Sequence, residues 1–308
     1  MTAITALKLG VSPLSWTNDV LEDLGGDISL TRCLQEAAQA GYSGIELGRK
    51  FPRDAAELSP LLTGAGLALA SGWYSGLLAE RTTEEELREV RTHAQLLHKM
   101  GASVMVYGEC GAMPGDNPLD EPLSRSPALN SVDIPAYAGR VSAFARALFK
   151  EYGLKLAFHQ HLMMLVEHQD ELSTFLEQTD SSVGLVLDTG HALVGGIDIP
   201  WLLKKHGHRI CHIHLKDVRQ PVLEQVRAQD LSFNDAVRSG LFTVPGDGVI
   251  DFTAIIDFIR HSGYSGWLIV EAEQDPQLAP PLATVTRAAQ WASKTFNLPL
   301  TVWENNAS

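Results

Sequence analysis

The sequence predicts an α/β protein folded as a single (β/α)8 TIM barrel, with residues 1–308 forming one domain. Three observations favour this fold. Eight short apolar runs alternate with segments of helical periodicity, the pattern of parallel strands joined by right-handed helical crossovers. Most of the runs are apolar without alternation, as strands covered on both faces are. Several of them end in a charged residue or a histidine, at the strand end where barrels hold their chemistry.

The elements follow one another in regular order along the chain. The predicted strands are 8–13, 44–48, 67–74, 103–109, 155–161, 183–188, 209–217 and 266–273. The predicted helices are 29–40, 54–66, 83–100, 134–152, 167–178, 199–206, 252–262 and 280–296. Helix boundaries rest on local signals. Ser29 and Asp54 are suited to cap helix N-termini, Thr83 begins a capping-box pattern, and Gly153 and Gly263 are suited to end helices.

Two connections are too long to be simple turns. Residues 110–132 are rich in Pro, Gly and Asn, and residues 218–249 contain a possible short helix and the turn sequence Pro-Gly-Asp-Gly. Loops of this length in a compact domain are usually functional. We therefore predict that both form part of the rim or a lid over one end of the barrel.

Composition and charge exclude several classes of partner. The chain of 308 residues is 45% hydrophobic, with a formal net charge of −13, so nucleic acid is not an expected partner. Three widely separated cysteines do not make a disulfide framework and fit a reducing cytoplasm. The N-terminal residues lack the pattern of a signal peptide, and no apolar run is long enough to predict a membrane span.

Carboxylates and imidazoles cluster at the predicted C-terminal ends of the strands. The cluster contains Glu46, Trp73, Glu109, His159, His161, Asp188, His212, His214 and Glu271. In a barrel these ends converge on one mouth, and a mixed set of N and O donors suits Mn²⁺, Co²⁺, Zn²⁺ or Fe²⁺ better than Mg²⁺. The competing interpretation is structural, with Asp188 capping the next turn and His191 a satisfied loop histidine.

Several motifs resemble a known superfamily. The sequences Asp188-Thr-Gly-His191, His212-Ile-His-Leu-Lys-Asp217 and Val270-Glu271 are similar to those of the xylose-isomerase-like, endonuclease-IV-like barrels. Within that superfamily, the sequence resembles the inosose dehydratase family. The resemblance covers nearly the whole chain and is carried by the segments 12–19, 44–52, 71–76 and 270–276.

The resemblance implies a single divalent metal, typically Mn²⁺ or Co²⁺, at the barrel mouth. Its implied ligands are Asp188, His214 and Glu271, with His159 as the fourth and His161 as the alternative fourth ligand. The residues that follow, Leu162-Met163-Met164, depart from the Gly-Thr expected in this family, and they should face the bound ring.

The implied reaction is loss of water from the cyclic polyol ketone 2-keto-myo-inositol, giving a trihydroxycyclohexane-dione. The acid and base candidates are Glu46, His161 and His191. The substrate-binding candidates are Trp16, Lys50, Trp73, Glu109, Lys216 and Arg219. Dehydration needs no redox cofactor, and no Gly-x-Gly-x-x-Gly follows a predicted strand, so we expect no nucleotide cofactor.

Three other functions remain open from the sequence. A keto-sugar epimerase or isomerase on the same metal would share the proton abstraction but lose no water. An abasic-site nuclease would need a basic DNA-binding face, which the net charge of −13 argues against. A non-catalytic polyol-binding barrel would need no metal. A homo-oligomer is also possible.

Overall fold

The structure is a computed structural model that describes residues 7–302. Its strands are β1 Leu7–Val11, β2 Gly44–Leu47, β3 Ala68–Gly76, β4 Val104–Glu109, β5 Lys155–Phe158, β6 Val183–Asp188, β7 Ile210–Leu215, β8 Asp217–Val218, β9 Phe242–Thr243 and β10 Gly266–Val270. Its helices are α1 Leu30–Gln39, α2 Ala55–Gly64, α3 Thr83–Glu89, α4 Arg91–Lys99, α5 Ile134–Tyr152, α6 Gln169–Gln178, α7 Thr189–Val194, α8 Ile199–His206, α9 Gln220–Gln229, α10 Phe233–Arg238, α11 Thr253–Ser262 and α12 Pro281–Phe296.

Eight parallel strands close into a barrel, which confirms the predicted fold class. The order around the barrel is β1, β10, β7, β6, β5, β4, β3, β2, so strands adjacent in this order are hydrogen-bonded neighbours. The helices pack outside the barrel and bury the outward faces of the strands in one continuous apolar core. Among the described residues, no helix combines the length and apolar character needed to cross a bilayer.

Irregular strand pairing shapes the barrel mouth. Between β6 and β7 the register moves from Leu185 opposite Ile210 to Val186 opposite His212, which leaves Cys211 as an extra residue on β7. A bulge of this kind bends the strand and re-aims its side chains. His212 and His214, which follow the bulge, both reach Glu46 on the other side of the barrel.

The structure corrects several predicted boundaries. The predicted helix 83–100 is interrupted at Val90, and its capping box is formed by Thr82 and Glu85 rather than beginning at Thr83. Strand β5 ends at Phe158, so the two histidines that follow lie in a loop. The segment 218–249 contains two helices and a short strand pair, more regular structure than its sequence predicts.

Gly108 in β4 lies where there is no space for a methyl group. A Cβ built on Gly108 would lie 2.1 Å from the Trp73 indole. We predict that Gly108→Ala lowers the free energy of unfolding by about 1–3 kcal/mol because the ring must shift in a packed site. Gly139 on α5 has open space around its Cβ position, so Gly139→Ala should be neutral or stabilising. Urea unfolding of both variants checks this, and equal stability of the two would contradict it.

Candidate active site

A cavity of about 370 Å³ opens at the C-terminal ends of the strands. This volume falls in the range of roughly 300–1,000 Å³ that small-molecule sites occupy. The polar residues that line it are Ser12, Asn18, Asp19, Glu46, Ser75, Asp116, Asn117, Asp120, His159, His161, His214, Asn234, Glu271 and Glu273. The apolar part of the wall includes Trp73, Met113, Met164 and Phe233. Within the part of the chain that the structure describes, neither Lys nor Arg lines this cavity.

The structure brings the four predicted metal ligands together at the floor of the cavity. Asp188 Oδ2 lies 3.4 Å from His159 Nε2 and 3.5 Å from His214 Nδ1. His214 Nδ1 lies 3.2 Å from Glu271 Oε2. These side chains leave the ends of four different strands, and all are buried. The donor atoms of His159, Asp188 and His214 all lie within 4.8 Å of one another, close enough to face one small cation, and Glu271 adjoins this group through His214.

Hydrogen bonds determine which nitrogen of His159 faces this cluster. The ring Nδ1 lies 2.6 Å from the carbonyl oxygen of Gln160, which accepts hydrogen bonds only, so Nδ1 carries the proton. The lone pair of neutral His159 then lies on Nε2, the atom nearest Asp188. A ligating histidine normally donates from its other nitrogen in this way.

Two buried atoms of the cluster lack the partners that buried polar atoms normally have. Asp188 Oδ2 and His214 Nδ1 make no hydrogen bond to any residue in 7–302, and both side chains are nearly inaccessible to solvent. Buried polar atoms almost always form a hydrogen bond, so two that lie 3.5 Å apart without forming one require an explanation. The donor set of two imidazoles and two carboxylates fits a divalent metal.

Lys216 neutralises part of the negative charge beside this cluster. Its Nζ lies 2.5 Å from Glu271 Oε1, 3.0 Å from Glu273 Oε1 and 3.3 Å from Asp188 Oδ2. Burial alone would raise the pKa of Asp188, but the Lys216 ammonium and the neighbouring imidazoles lower it well below its usual value. Asp188 is therefore ionised, as a metal ligand must be.

His161 and His191 form a second part of the wall. Their ring centroids are 3.8 Å apart, and Trp73 meets the His161 ring edge-on at 5.8 Å. His161 Nδ1 lies 2.7 Å from the Leu162 carbonyl oxygen, so Nδ1 carries the proton and Nε2 is left with its lone pair. Burial and the His191 ring lower the pKa of His161 well below its usual value, so the ring is neutral at pH 7.

Asp188 performs two structural tasks at once. Its Oδ1 accepts a hydrogen bond from the backbone N–H of His191 at 2.8 Å and so caps α7, as the structural interpretation of the sequence proposed. Its Oδ2 is left to face the histidines. Cap and candidate ligand are therefore different oxygens of the same carboxylate.

Comparison with known proteins agrees with this geometry. Residues 34–295 match the family described as xylose isomerase-like TIM barrel. The chain belongs to that family. It is 43% identical over 280 residues to the rhizopine catabolism protein MocC of Rhizobium meliloti, covering 91% of this chain and 86% of that protein. It is 38% identical to an inosose dehydratase of Geobacillus thermodenitrificans, covering 95% and 98%, and 39% identical to one of Klebsiella pneumoniae, covering 95% and 98%.

Solved structures of the xylose isomerase-like family share the fold. The IOLI protein with a bound zinc atom has a TM-score of 0.65 at 17% identity, with 94% of this chain and 96% of that chain covered. The probable 3-DHS dehydratase AsbF of Bacillus anthracis has a TM-score of 0.66 at 13% identity, with 93% and 98% covered. These TM-scores show a common fold, and at such low identities the chemistry has to be argued from the side chains of this chain.

Five residues that the sequence suggested as substrate contacts do not reach the cavity of this family member. Trp16 donates its indole N–H to Glu36, and the Lys50 ammonium donates to three backbone carbonyls. Arg219 binds the segment 240–247, where it braces the second long loop. These positions are corrected because each polar group is engaged elsewhere. Trp73 is the one of the six that lines the cavity.

Glu109 and Lys216 complete the corrected set. Glu109 is fully buried and accepts hydrogen bonds from the N–H groups of Gly111 and Ala79 and from the Tyr107 hydroxyl, so it joins the loops that follow β3 and β4. Burial raises its pKa to about 7. Lys216 is enclosed by its three carboxylates and does not line the cavity.

Several lining residues were missed from the sequence. Glu273 lies two residues after Glu271, within the segment 266–273 that the sequence analysis assigned to the last strand, but it was not selected. Asp19 and Asn18 lie in the loop after β1, and Phe233 and Asn234 lie on α10 in the second long loop. Loop residues have no periodicity that predicts their direction, so only the folded structure identifies them.

The two long loops clasp one another over the cavity. Leu123 N–H donates to the Leu231 carbonyl at 3.1 Å, and Asn234 Nδ2 donates to Asp120 Oδ1 at 2.8 Å. Asp230 accepts from both the backbone N–H and the hydroxyl of Ser124. The predicted rim loops therefore form one connected cover.

Asp230 is a test point for that clasp. Its φ of +48° lies in the left-handed region, which Asn tolerates and Ala does not favour. We predict that Asp230→Ala removes two hydrogen bonds worth about 1 kcal/mol each and raises amide hydrogen exchange in residues 118–125 roughly tenfold or more. Asp230→Asn keeps an acceptor and the backbone conformation, so exchange there should remain near that of the parent protein. Unchanged exchange in Asp230→Ala would show that the clasp does not hold the loop.

Proposed function

We propose that this protein is a metal-dependent inosose dehydratase, a hydro-lyase that removes water from 2-keto-myo-inositol to give a trihydroxycyclohexane-dione. The observation that carries the proposal is the convergence of His159, Asp188, His214 and Glu271 at one cavity floor, with two orphaned donor atoms facing each other. The relatives named inosose dehydratase, at 38–39% identity over 95% of this chain, support the substrate.

The proposed metal is Mn²⁺ or Co²⁺, held by His159 Nε2, Asp188 Oδ2, His214 Nδ1 and Glu271 Oε2. Imidazole and carboxylate together suit these ions. A divalent ion supplies Lewis-acid polarisation of the ketone oxygen, which stabilises the negative charge that appears when the α proton leaves. Lys216 holds the other oxygen of Glu271 and so orients that carboxylate.

His161 is the proposed proton-transfer residue. Its Nε2 lone pair is free because Nδ1–H is bonded to the Leu162 carbonyl, and the ring lines the cavity. In the forward reaction the C–H bond α to the ketone breaks and the proton passes to Nε2. The bond from the β carbon to its hydroxyl then breaks, and the same proton returns to that oxygen, so water leaves. The His191 ring packs against the His161 ring at an angle of 34° and so limits its movement.

The cavity favours a neutral substrate. Asp19, Asp116 and Asp120 add carboxylates to its wall, and no cation among residues 7–302 lines it to bind a phosphate. The face of Trp73 offers an apolar surface to one side of a polyol ring. We therefore propose an unphosphorylated cyclic polyol ketone as the small-molecule partner, with no nucleotide cofactor. A cytoplasmic location and a possible homo-oligomer stay predictions from the sequence.

One experiment separates dehydration from the epimerase or isomerase alternative. Protein reconstituted with Mn²⁺ or Co²⁺ is supplied with 2-keto-myo-inositol, which is also called scyllo-inosose, and in separate assays with ketohexoses. A dehydratase produces a conjugated dione that absorbs in the ultraviolet, and its appearance requires inosose. An isomerised or epimerised ketohexose with no dione from inosose would favour the alternative, which differs only in the fate of the β-hydroxyl.

Asp188 provides a prediction in which the fold is protected. Asp188→Asn keeps an oxygen to cap α7 but loses the charged ligand oxygen. We expect Mn²⁺ affinity and turnover to fall together by at least about 100-fold, while thermal stability in the absence of metal stays near that of the parent protein. Calorimetric titration and turnover on inosose measure this. A metal-replete, fully active Asp188→Asn protein would contradict the assignment.

His161 should affect turnover without affecting metal binding. We predict that His161→Gln lowers kcat by about 10²- to 10⁴-fold, the usual contribution of a positioned acid or base, with Mn²⁺ affinity unchanged. The exposed His208 lies at the opposite end of the barrel, after α8, so His208→Gln is the matched control and should behave as the parent protein. Loss of metal affinity in His161→Gln would instead identify His161 as the fourth ligand.

A further inference from the structure

Three hydrogen-bond donors converge on one oxygen of Glu46. Its Oε1 lies 2.9 Å from His212 Nε2 and 3.2 Å from His214 Nε2, and it also accepts from the Ser71 hydroxyl. Glu46, Ser71 and the two histidines are buried. One carboxylate oxygen has two lone pairs, so three donors leave Oε1 no lone pair for a further proton.

This arrangement determines the protonation of both imidazole rings. An ionised carboxylate accepts hydrogen bonds and donates none, so His212 and His214 each carry a proton on Nε2. In a neutral His214 ring the lone pair is then on Nδ1. That nitrogen is the atom 3.5 Å from Asp188 Oδ2 and 3.2 Å from Glu271 Oε2.

We propose that Glu46 is a positioning residue, which holds His214 Nε2–H so that Nδ1 faces the donor cluster and which thereby sets metal affinity. The inference rests on the proposed metal site. It gives Glu46 a different task from the acid or base role that the sequence suggested, because the oxygen that contacts the histidines is already saturated. A carboxylate that accepts from a ligating histidine fixes the ring and increases its basicity.

Both histidines that contact Glu46 come from β7 and follow its bulge. With Cys211 as the extra residue, His212 and His214 approach the same oxygen from one strand. His212 contacts the Glu46 carboxylate and meets the His214 ring edge-on at 5.2 Å. His212 therefore donates a hydrogen bond that helps to fix the Glu46 carboxylate, and Glu46 in turn accepts a hydrogen bond from His214.

The test compares the metal affinity of Glu46→Gln with its turnover. The amide oxygen of Gln still accepts hydrogen bonds but lacks the charge. We expect Mn²⁺ affinity by calorimetric titration to fall about 10- to 100-fold, the range for loss of a partner behind a metal ligand, and kcat at saturating Mn²⁺ to stay within about tenfold of the parent value. Ser71→Ala removes one donor to Glu46 without touching His214, and its Mn²⁺ affinity should change by less than that of Glu46→Gln.

A second measurement reports on His214 directly. In the Zn²⁺-loaded protein, ¹⁵N NMR distinguishes ligation through Nδ1 from ligation through Nε2, and we expect Nδ1 for His214 with a proton retained on Nε2. If Glu46→Gln does not fold, the Mn²⁺ affinity is measured on Glu46→Asp instead. The ¹⁵N spectrum of the parent protein then tests the ligating nitrogen of His214 independently of any variant.

The outcomes separate this inference from the proposed function. If the parent protein binds no divalent metal, the proposed function fails and this inference falls with it. If the parent protein binds metal but Glu46→Gln has unchanged affinity and a kcat reduced about 1,000-fold, Glu46 is an acid or base and only this inference is overturned. Ligation of His214 through Nε2 would overturn it equally.

Discussion

The mouth of this barrel depends on how buried negative charge is compensated. Asp188, Glu271 and Glu273 share the single ammonium of Lys216, and Glu46 receives hydrogen bonds from two histidines. Two like charges about 4 Å apart repel by roughly 4 kcal/mol at an effective dielectric constant near 20, so such a group of carboxylates needs cations to remain ionised. The fold supplies the Lys216 ammonium, and the carboxylates of Glu271 and Glu46 raise the pKa of His214 well above its usual value although burial opposes this. A divalent ion on the proposed ligands would supply further positive charge.

The ion pair with Lys216 also gives the two oxygens of Glu271 different roles. The ammonium holds Oε1, while Oε2 is directed towards His214. Asp188 is divided in the same manner, with Oδ1 capping α7 and Oδ2 facing the histidines. In both carboxylates one oxygen fixes the geometry and the other is left for chemistry. Side chains positioned in this way lose little conformational entropy when a ligand arrives.

How much the sequence predicts differs between strands and loops. The barrel, Asp188, His214 and Glu271 follow from apolar runs that end in polar residues, because strand direction and alternation determine where such side chains point. Trp16, Lys50 and Arg219 were selected by motif or by residue type, and neither criterion distinguishes a substrate contact from a structural one. In the structure, the polar group of each forms hydrogen bonds within the protein. The helix 83–100 had continuous periodicity, yet the chain breaks it at Val90 to follow the barrel.

The sequence pattern does not predict the bulge on β7 or the contacts of the two histidines that follow it. Strict alternation places His212 and His214 on one face but says nothing of what they share. The structure adds that both rings reach the same oxygen of Glu46. A glutamate at the end of a barrel strand looks like an acid or a base when it is considered alone. When its three donors are counted, the proposed role of the same glutamate becomes support for a ligand, and the proposed proton-transfer residue is His161, which lines the cavity.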